Sequence, residues 1–501
     1  MKVPMLESAV KNFCQQFAQA PIYIAYSGGV DSQVLLHALS QLKKRGDIDN
    51  ALAIIHINHG LSPNADKWQA FAQQQAALCD VEFYSALVDV NVKARQSIEA
   101  VARDKRYQAL QSIASPNACI LTGHHQDDQA ETLLLALKRG AGIKGLSAML
   151  RLMPFNPPSQ QVLARPLLHV ARADIEAYAK QHQLTWIEDE SNSDTRFDRN
   201  FLRHQVLPLL TERWPSFNAT LSRSVSHCQE TQSLLAQLAE QDLEFACAQQ
   251  KDTGNELQSE VSAEPRLNIE ALRTLSKARF NNLIRYFLSL HQCAMPSEMQ
   301  LEQVWQQLNA AADKNPEVKV GVNVLRRYRQ WLYLTPDYSD LSEITLDCTA
   351  AFSAAVKESG AEQAICLLPD QLGEVYLNVV NCDQAFQLAS FKRQKLLANV
   401  LFSSSNSNLL AILPPKSGQN ITIKFSHQNP KCHPSYRDKP RTLKKVLQEL
   451  EIAPWQRKRL PMLYYDNELV AVIGVFACND FVAKSSELFL ALDWQTDKKQ
   501  G

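Results

Sequence analysis

A chain of 501 residues exceeds the roughly 250–300 residues at which one hydrophobic core stops growing, so two or three domains are expected. With 45% hydrophobic and 21% charged residues, 15 Gly and 22 Pro, the composition excludes a disordered, collagenous or coiled-coil chain. The 52 Lys+Arg cancel the 52 Asp+Glu, which excludes a uniformly basic surface and leaves any nucleic-acid partner to local patches.

From Pro21 to about Trp214, short β-rich runs alternate with amphipathic stretches. PIYIAYS (21–27), ALAIIHIN (51–58), VEFYSALV (81–88) and ACILTG (118–123) read as strands separated by helices. That order predicts an α/β domain with a mostly parallel sheet, whose ligands bind at the carboxyl ends of the strands. At the first such end stands SGGVDS (27–32), directly before the helical pattern QVLLHALSQL (33–42). Gly28 and Gly29 permit a sharp turn that leaves amide groups and a helix N-terminus aimed at one spot. Such a nest suits phosphate: Ser27 and Ser32 add hydroxyls, Val30 continues the loop, and Asp31 is placed to hold the Mg²⁺ that accompanies a nucleotide. The plain alternative is an N-capping turn without a ligand. No Gly-Lys-Ser/Thr follows, so γ-phosphate transfer is not expected.

The fourth strand runs into GHHQDDQAET (123–132), where a helix from about Gln126 places Asp127, Asp128 and Glu131 at one end and largely on one face. Three carboxylates this close stay ionised only beside a cation: a metal, a substrate ammonium or an arginine. The alternatives are acidic first-turn residues at a helix N-terminus or a metal-hydrolase site from His124 and Asp128. No H-E-x-x-H accompanies them. Gly140 and Gly142 then end the helix in a basic loop, and the polar stretch 185–210 carries Arg199, Asn200 and Arg203. Arg203 suits either a charge developing on a phosphate or a surface ion pair with Glu188, Asp189 or Asp194. In SIEAVARDKRYQAL (97–110), Arg103 and Arg106 either reach the phosphates of a ligand or belong to a surface ion-pair helix around Glu99.

About Asn218 to Pro336 reads as mainly helical, with KDTGNELQSEVSAEP (251–265) as a mobile surface loop. Beyond Asp337, EVYLNVV (374–380), NITIKF (420–425) and ELVAVIGVF (468–476) are strand candidates, RTLKKVLQELE (441–451) is a helix and SSSNSN (403–408) a loop. Between Lys431 and Arg459 the bases Arg437, Lys439, Arg441, Lys444, Lys445, Arg457, Lys458 and Arg459 face only Asp438, Glu449 and Glu451, with Tyr436 and Trp455 interleaved. Basic residues beside stacking aromatics suit an RNA backbone; the alternative is a solvated helix face. The cysteines, eleven in all, include no C-x-x-C, the start MKVPMLESAVKNFC has no apolar h-region, and no long apolar run occurs, so a reduced, cytoplasmic chain without a membrane span is expected.

SGGVDS after a buried strand resembles the PP-loop of ATP pyrophosphatases. With INHGLSPNAD (57–66), SIEAVARDKRYQAL, GHHQDDQAET, LKRGAGIKGLSAM (137–149) and IEDESNSDTRFDRNFLR (187–203), the chain resembles the tRNA(Ile)-lysidine synthase family. RRYRQWLYL (326–334) and the stretch 443–476 resemble the two carboxyl-terminal domains of its longer form, so the likeness runs nearly end to end. The resemblance implies a PP-loop catalytic domain over 1–216, a mainly helical tRNA-binding domain over 217–345 and a small α+β tRNA-binding domain over 346–501. It implies ATP and Mg²⁺, free L-lysine, and the minor isoleucine tRNA with a CAU anticodon, with homodimerisation left open. The family adenylates the wobble cytidine at its C2 oxygen, and lysine then displaces AMP, giving lysidine and changing decoding from AUG to AUA. Asp31, Asp128, Glu131 and Arg203 match its catalytic residues, Asp127, Arg103, Arg106, Lys444 and Lys445 are expected at substrate or tRNA, and Ser27 to Ser32 at the nucleotide. Where many members have a glycine-rich turn before the L-K-K helix, this chain reads SYRDKPR (435–441), and 251–265 and 349–363 look like extra material. The competing readings are a PP-loop tRNA sulfur transferase, for which cysteines near the motifs are lacking, and a non-catalytic tRNA-binding protein with a nucleotide loop.

Overall fold

The computed structural model describes residues 3–60, 62–89, 98–156, 159–248, 264–308, 316–350, 363–381, 410–482 and 488–495. The SSSNSN segment, nearly all of the 251–265 loop and most of 349–363 lie outside them. The chain divides into two compact units, Met1–Gln237 and Leu238–Gly501.

The first unit is built on strands β1 (Ile22–Ala25), β2 (Leu52–Asn58), β3 (Glu82–Leu87), β4 (Cys119–Leu121), β5 (Leu152–Asn156) and β6 (Gln161–Ala164), ordered β3-β2-β1-β4-β6-β5. All neighbours are parallel except the edge strand β5. The four anticipated strands are present; β5 and β6 were not anticipated. Pro154 in β5 argues against a strand on sequence grounds, and the edge is where a sheet tolerates it. The helices here are α1 (Val3–Gln16), α2 (Val30–Lys44), α3 (Ala65–Cys79), α4 (Ile98–Ile113), α5 (Gln126–Lys138), α6 (Ile143–Leu146), α7 (Arg172–Gln181), α8 (Asp198–Phe201) and α9 (Leu207–Arg213), followed by α10 (Phe217–Ala248), which contains the unit boundary. One core gathers Val34, Leu35 and Leu39 of α2 with Ile22, Ile24, Ile54, Leu121 and Tyr178; a second, around Ile55, Leu110, Ile120 and Leu163, includes α4. Crossover helices covering both faces leave the carboxyl ends of β1 and β4, side by side at the point where strand order reverses, as the open edge of the sheet.

In the second unit, helices α11 (Ile269–Thr274), α12 (Lys277–Leu290) and α13 (Glu298–Gln307) pack on an antiparallel sheet of β7 (Arg266–Asn268), β10 (Trp331–Pro336), β9 (Asn323–Tyr328) and β8 (Glu317–Val320). RRYRQWLYL is the β9–β10 hairpin, turned at Arg329 with φ 53°. The carboxyl-terminal part holds β11 (Thr345–Asp347), β12 (Gln363–Leu367), β13 (Glu374–Asn381), β14 (Leu410–Ile412), β15 (Ile421–Lys424), β16 (Lys431–Cys432), β17 (Arg441–Thr442), β18 (Met462–Tyr465), β19 (Glu468–Val472), β20 (Phe476–Ala477) and β21 (Leu488–Gln495). They form sheets ordered β11-β15-β18-β19-β20 and β12-β13-β21-β14 around one core, with a β16–β17 ribbon. ELVAVIGVF splits into β19 and β20 because Gly474, at φ 77°, reverses the chain. The helix expected over 441–451 spans Leu443–Glu449. No residue of the glycine-free 435–441 turn takes a positive φ, so glycine is not needed there. Among the described residues no helix is long and apolar enough to cross a membrane.

Candidate active site

The 27–32 loop closes β1 and opens α2. Gly28 sits at φ +87°, and a Cβ there would stand 2.8 Å from Ile187 Cδ1, so both backbone angle and space require glycine. Ile187 N–H donates to Gly28 O at 2.9 Å, which ties the 185–203 stretch to the loop. A Cβ on Gly123, after β4, would lie 2.9 Å from the Asp31 carbonyl carbon; Gly123 therefore lets the two strand ends close together. Ser32 Oγ donates to Gly29 O at 2.9 Å and lies 3.3 Å from Ser27 Oγ, while Val30 is buried. No side chain caps α2 at its N-cap Gly29, so the plain capping alternative does not account for this loop.

On α5 the capping alternative does operate, alongside a second role. His125 is the N-cap, its Nδ1 accepting from Asp127 N–H and Asp128 N–H at 3.2 and 3.4 Å, and Asp128 Oδ2 accepts from His125 N–H at 3.0 Å. Asp128 Oδ1 also accepts from Arg203 Nη2 at 3.0 Å. Glu131, with 0% exposure, accepts from Arg203 Nε at 2.7 Å, Arg203 Nη2 at 3.1 Å and Arg199 Nε at 2.8 Å. A buried carboxylate held by two guanidinium groups answers the question posed by the sequence: the cation beside these acids is arginine. Arg203 therefore does not pair with Glu188, Asp189 or Asp194; its neighbour Arg196 takes Asp194, at 2.7 Å.

The expected grouping of three carboxylates is corrected at Asp127. Its oxygens accept from Arg172 N–H at 3.2 Å and Asn218 Nδ2 at 3.0 Å, so it fastens the starts of α7 and α10 while Asp128 and Glu131 face Arg203. A helix turns 100° per residue, which directs adjacent Asp127 and Asp128 apart. Asp31 meets Arg172 Nη1 at 2.8 and 3.0 Å, and its Oδ1 lies 3.7 Å from His125 Nε2, which is 3.4 Å from Asp128 Oδ2. Arg172 and Asn218 carry no motif, and only tertiary folding brings them here. The structure thus gathers Asp31, Asp128, Glu131 and Arg203 around the strand ends, and places Arg103 and Arg106 with their guanidinium carbons 5.3 and 5.7 Å from the Tyr107 ring centroid. The side chain of Glu99 lies outside the described residues.

Electrostatics follow burial. Desolvation raises the pKa of Asp31, against the pull of His125 and Arg172. Burial works in the same direction on Asp128, but His125, His124 and Arg199 outweigh it and hold that carboxyl below the usual range. Burial, helped by Arg165, Arg106 and Arg199, pushes His124 down to about 3, so it is neutral at pH 7, and its Nδ1 lies 2.7 Å from Thr122 Oγ1. Burial opposes the charge on Arg203, yet its bonds to Glu131 raise its pKa. Among the described residues no three His, Cys, Asp or Glu side chains are grouped to hold a metal ion.

In the second unit, the basic segment is partly consumed by its own surroundings. Arg437 and Arg441 both pair with Glu449, Arg459 with Asp370, and Arg457 donates to Ile452 O at 2.7 Å. Lys444 and Lys445 are exposed, and no ion pair among the described residues engages them. Trp455 is a correction: only 7% exposed, it packs edge-on against Tyr333 with centroids 5.3 Å apart and donates from Nε1 to Glu264 at 3.2 Å, so it is a core residue, not a stacking platform. Tyr436 remains 54% exposed.

Known proteins match in the same places. A PP-loop domain model covers residues 3–210, a TilS substrate binding domain 267–333, and a TilS substrate C-terminal domain 421–494. The tRNA(Ile)-lysidine synthase of Proteus mirabilis is 37% identical over 475 residues, covering 95% of each chain. That of Serratia proteamaculans is 38% identical over 460 residues, 92% of each, and that of Coxiella burnetii 37% over 481 residues, 95% of this chain and 91% of its own. With a PP-loop ATP-binding domain followed by both substrate domains, the chain belongs to the tRNA(Ile)-lysidine synthase family of tRNA-modifying ligases.

Proposed function

We propose that this protein joins L-lysine to C2 of the wobble cytidine of the minor isoleucine tRNA with a CAU anticodon, through an O-adenylated cytidine, so that the tRNA reads AUA instead of AUG. The observation that carries this reading is the Arg203 clamp on Asp128 and Glu131 beside the 27–32 loop, at the reversal point of the sheet. Amides of Gly28 to Ser32 and the start of α2 bind the ATP phosphates. Asp31 would hold the Mg²⁺ that accompanies ATP, and the ion would neutralise charge on the departing pyrophosphate. The cytidine O2 attacks the α-phosphorus and pyrophosphate leaves. Arg203, positioned by Glu131, stabilises the charge that builds on the transferring group. The lysine amine then attacks C2, AMP departs, and Asp128, held ionised by its neighbours, accepts the amine proton. Arg103 and Arg106 contact ATP or tRNA phosphates, Asp127 orders the substrate side of α5, and Lys444 and Lys445 contact the tRNA backbone. Three domains, over 1–216, 217–345 and 346–501, and a cytoplasmic location belong to this reading.

The test is to incubate the protein with ATP, labelled lysine and a minor isoleucine tRNA transcript. Label should enter the tRNA, with pyrophosphate release dependent on both tRNA and lysine. ATP consumption without lysine incorporation overturns the reading.

A further inference from the structure

Cys348 and Cys366 are buried, at 3% and 8% exposure, and their Sγ atoms are 2.9 Å apart. That is well inside the about 3.5–4.0 Å at which ordinary non-bonded atoms meet. Cys348 follows β11, its N–H continuing the ladder to Ile421 O at 2.9 Å; Cys366 lies in β12, opposite Val375 of β13. β11 and β12 are edge strands of two different sheets, and both cysteines belong to the core those sheets share. An edge strand has one partner and is among the first elements to open.

We propose that Cys348 and Cys366 are an oxidation site, a thiol pair that a small hydroperoxide converts to an intramolecular disulfide joining the two edge strands. The Cys366 thiolate attacks a peroxide oxygen, the O–O bond breaks, and hydroxide leaves with the proton from Cys366 as water. The Cys348 sulfur then attacks the sulfenic sulfur, the S–O bond breaks, and the second hydroxide leaves with the Cys348 proton. Two thiols and one hydrogen peroxide give one disulfide and two waters; sulfur is oxidised and peroxide reduced. Selectivity has a local source. The S–H of Cys348 stabilises a thiolate at Cys366 and lowers its pKa, whereas burial pushes Cys14, Cys119 and Cys478 up to about 12.

The experiment treats the full-length reduced protein with one equivalent of hydrogen peroxide, alkylates the remaining thiols and maps peptides by mass spectrometry. The expected product is a peptide pair linked through Cys348 and Cys366, lighter by two hydrogens than the separate thiol peptides and restored to them by dithiothreitol. The second unit should then melt a few degrees higher. Cys366→Ser should abolish both the linked pair and the peroxide-dependent rise. Recovery of both cysteines as thiols while other cysteines react, their separate recovery as sulfinic acids, or their pairing with other cysteines overturns the proposal. The wild-type peptide map decides the matter even where the variant does not fold.

Discussion

Glu131 sits without solvent exposure between Arg199 and Arg203, whereas Lys444 and Lys445 stand exposed on their helix with no ion-pair partner among the described residues. In sequence the two regions look alike: clustered charge of one sign. What separates them is where the counter-charge comes from. The acids of α5 draw arginines from some 70 residues downstream, through a chain reversal that buries the pair. Of the bases of 431–459, Arg437 and Arg441 find their acid, Glu449, nearby in sequence and Arg459 finds Asp370, whereas Lys444 and Lys445 find none among the described residues. Buried, matched charge fixes geometry, while exposed, unmatched charge supplies salt-sensitive attraction to a polyanion.

Breaking the buried side has the largest expected effect. Glu131→Ala leaves two guanidinium groups without their carboxylate and should cost about 3–5 kcal/mol of stability, read by denaturant unfolding of the first unit. Glu131→Gln, nearly the same shape, should abolish lysine transfer; normal turnover would remove Glu131 from the mechanism. Trp455→Ala should also lower stability by about 3–5 kcal/mol, now in the second unit, and leave the salt dependence of tRNA binding unchanged. A large change in that dependence would return Trp455 to the binding surface. Next in size, Lys444→Glu with Lys445→Glu should weaken tRNA binding about 10–100-fold and flatten its dependence on log salt by roughly two units of slope, with turnover at saturating tRNA preserved. Unchanged binding would confine the exposed charge to a solvated face.

A separate effect is in pH. His124 and His37 are held down, to about 3 and about 4, chiefly by burial. The unfolded chain therefore binds protons at these positions from pH 6.5 downward while the folded chain does not. Stability should be fully present above pH 6.5 and fall progressively as pH drops toward 4. A melting temperature that stays flat between pH 7 and 5 would mean that these imidazoles gain compensating partners on protonation.

Legibility differed by kind of feature. SGGVDS was readable because a phosphate nest needs adjacent glycines and hydroxyls within six residues, so its whole specification is local. GHHQDDQAET was readable as an acidic helix start, yet the partition of its carboxylates was not. Asp127 binds Arg172 N–H and Asn218, which lie 45 and 91 residues away. Trp455 misled for a related reason. Surrounded by bases in sequence it looks like a stacking residue, but β9 and β10 supply Tyr328 and Tyr333 as its packing partners.

By itself the sequence determined the alternation of strand and helix in the first unit, the loop after β1, and the charge inventory of both regions. These depend on periodicity and on backbone freedom at a few glycines, which act over one or two turns of chain. Only the tertiary structure decided which charges are matched, that Arg199 and Arg203 answer Glu131, that Arg172 answers Asp31, and that Glu449 neutralises Arg437 and Arg441. Electrostatic pairing depends on distance and burial in space, and neither quantity is written in the order of residues.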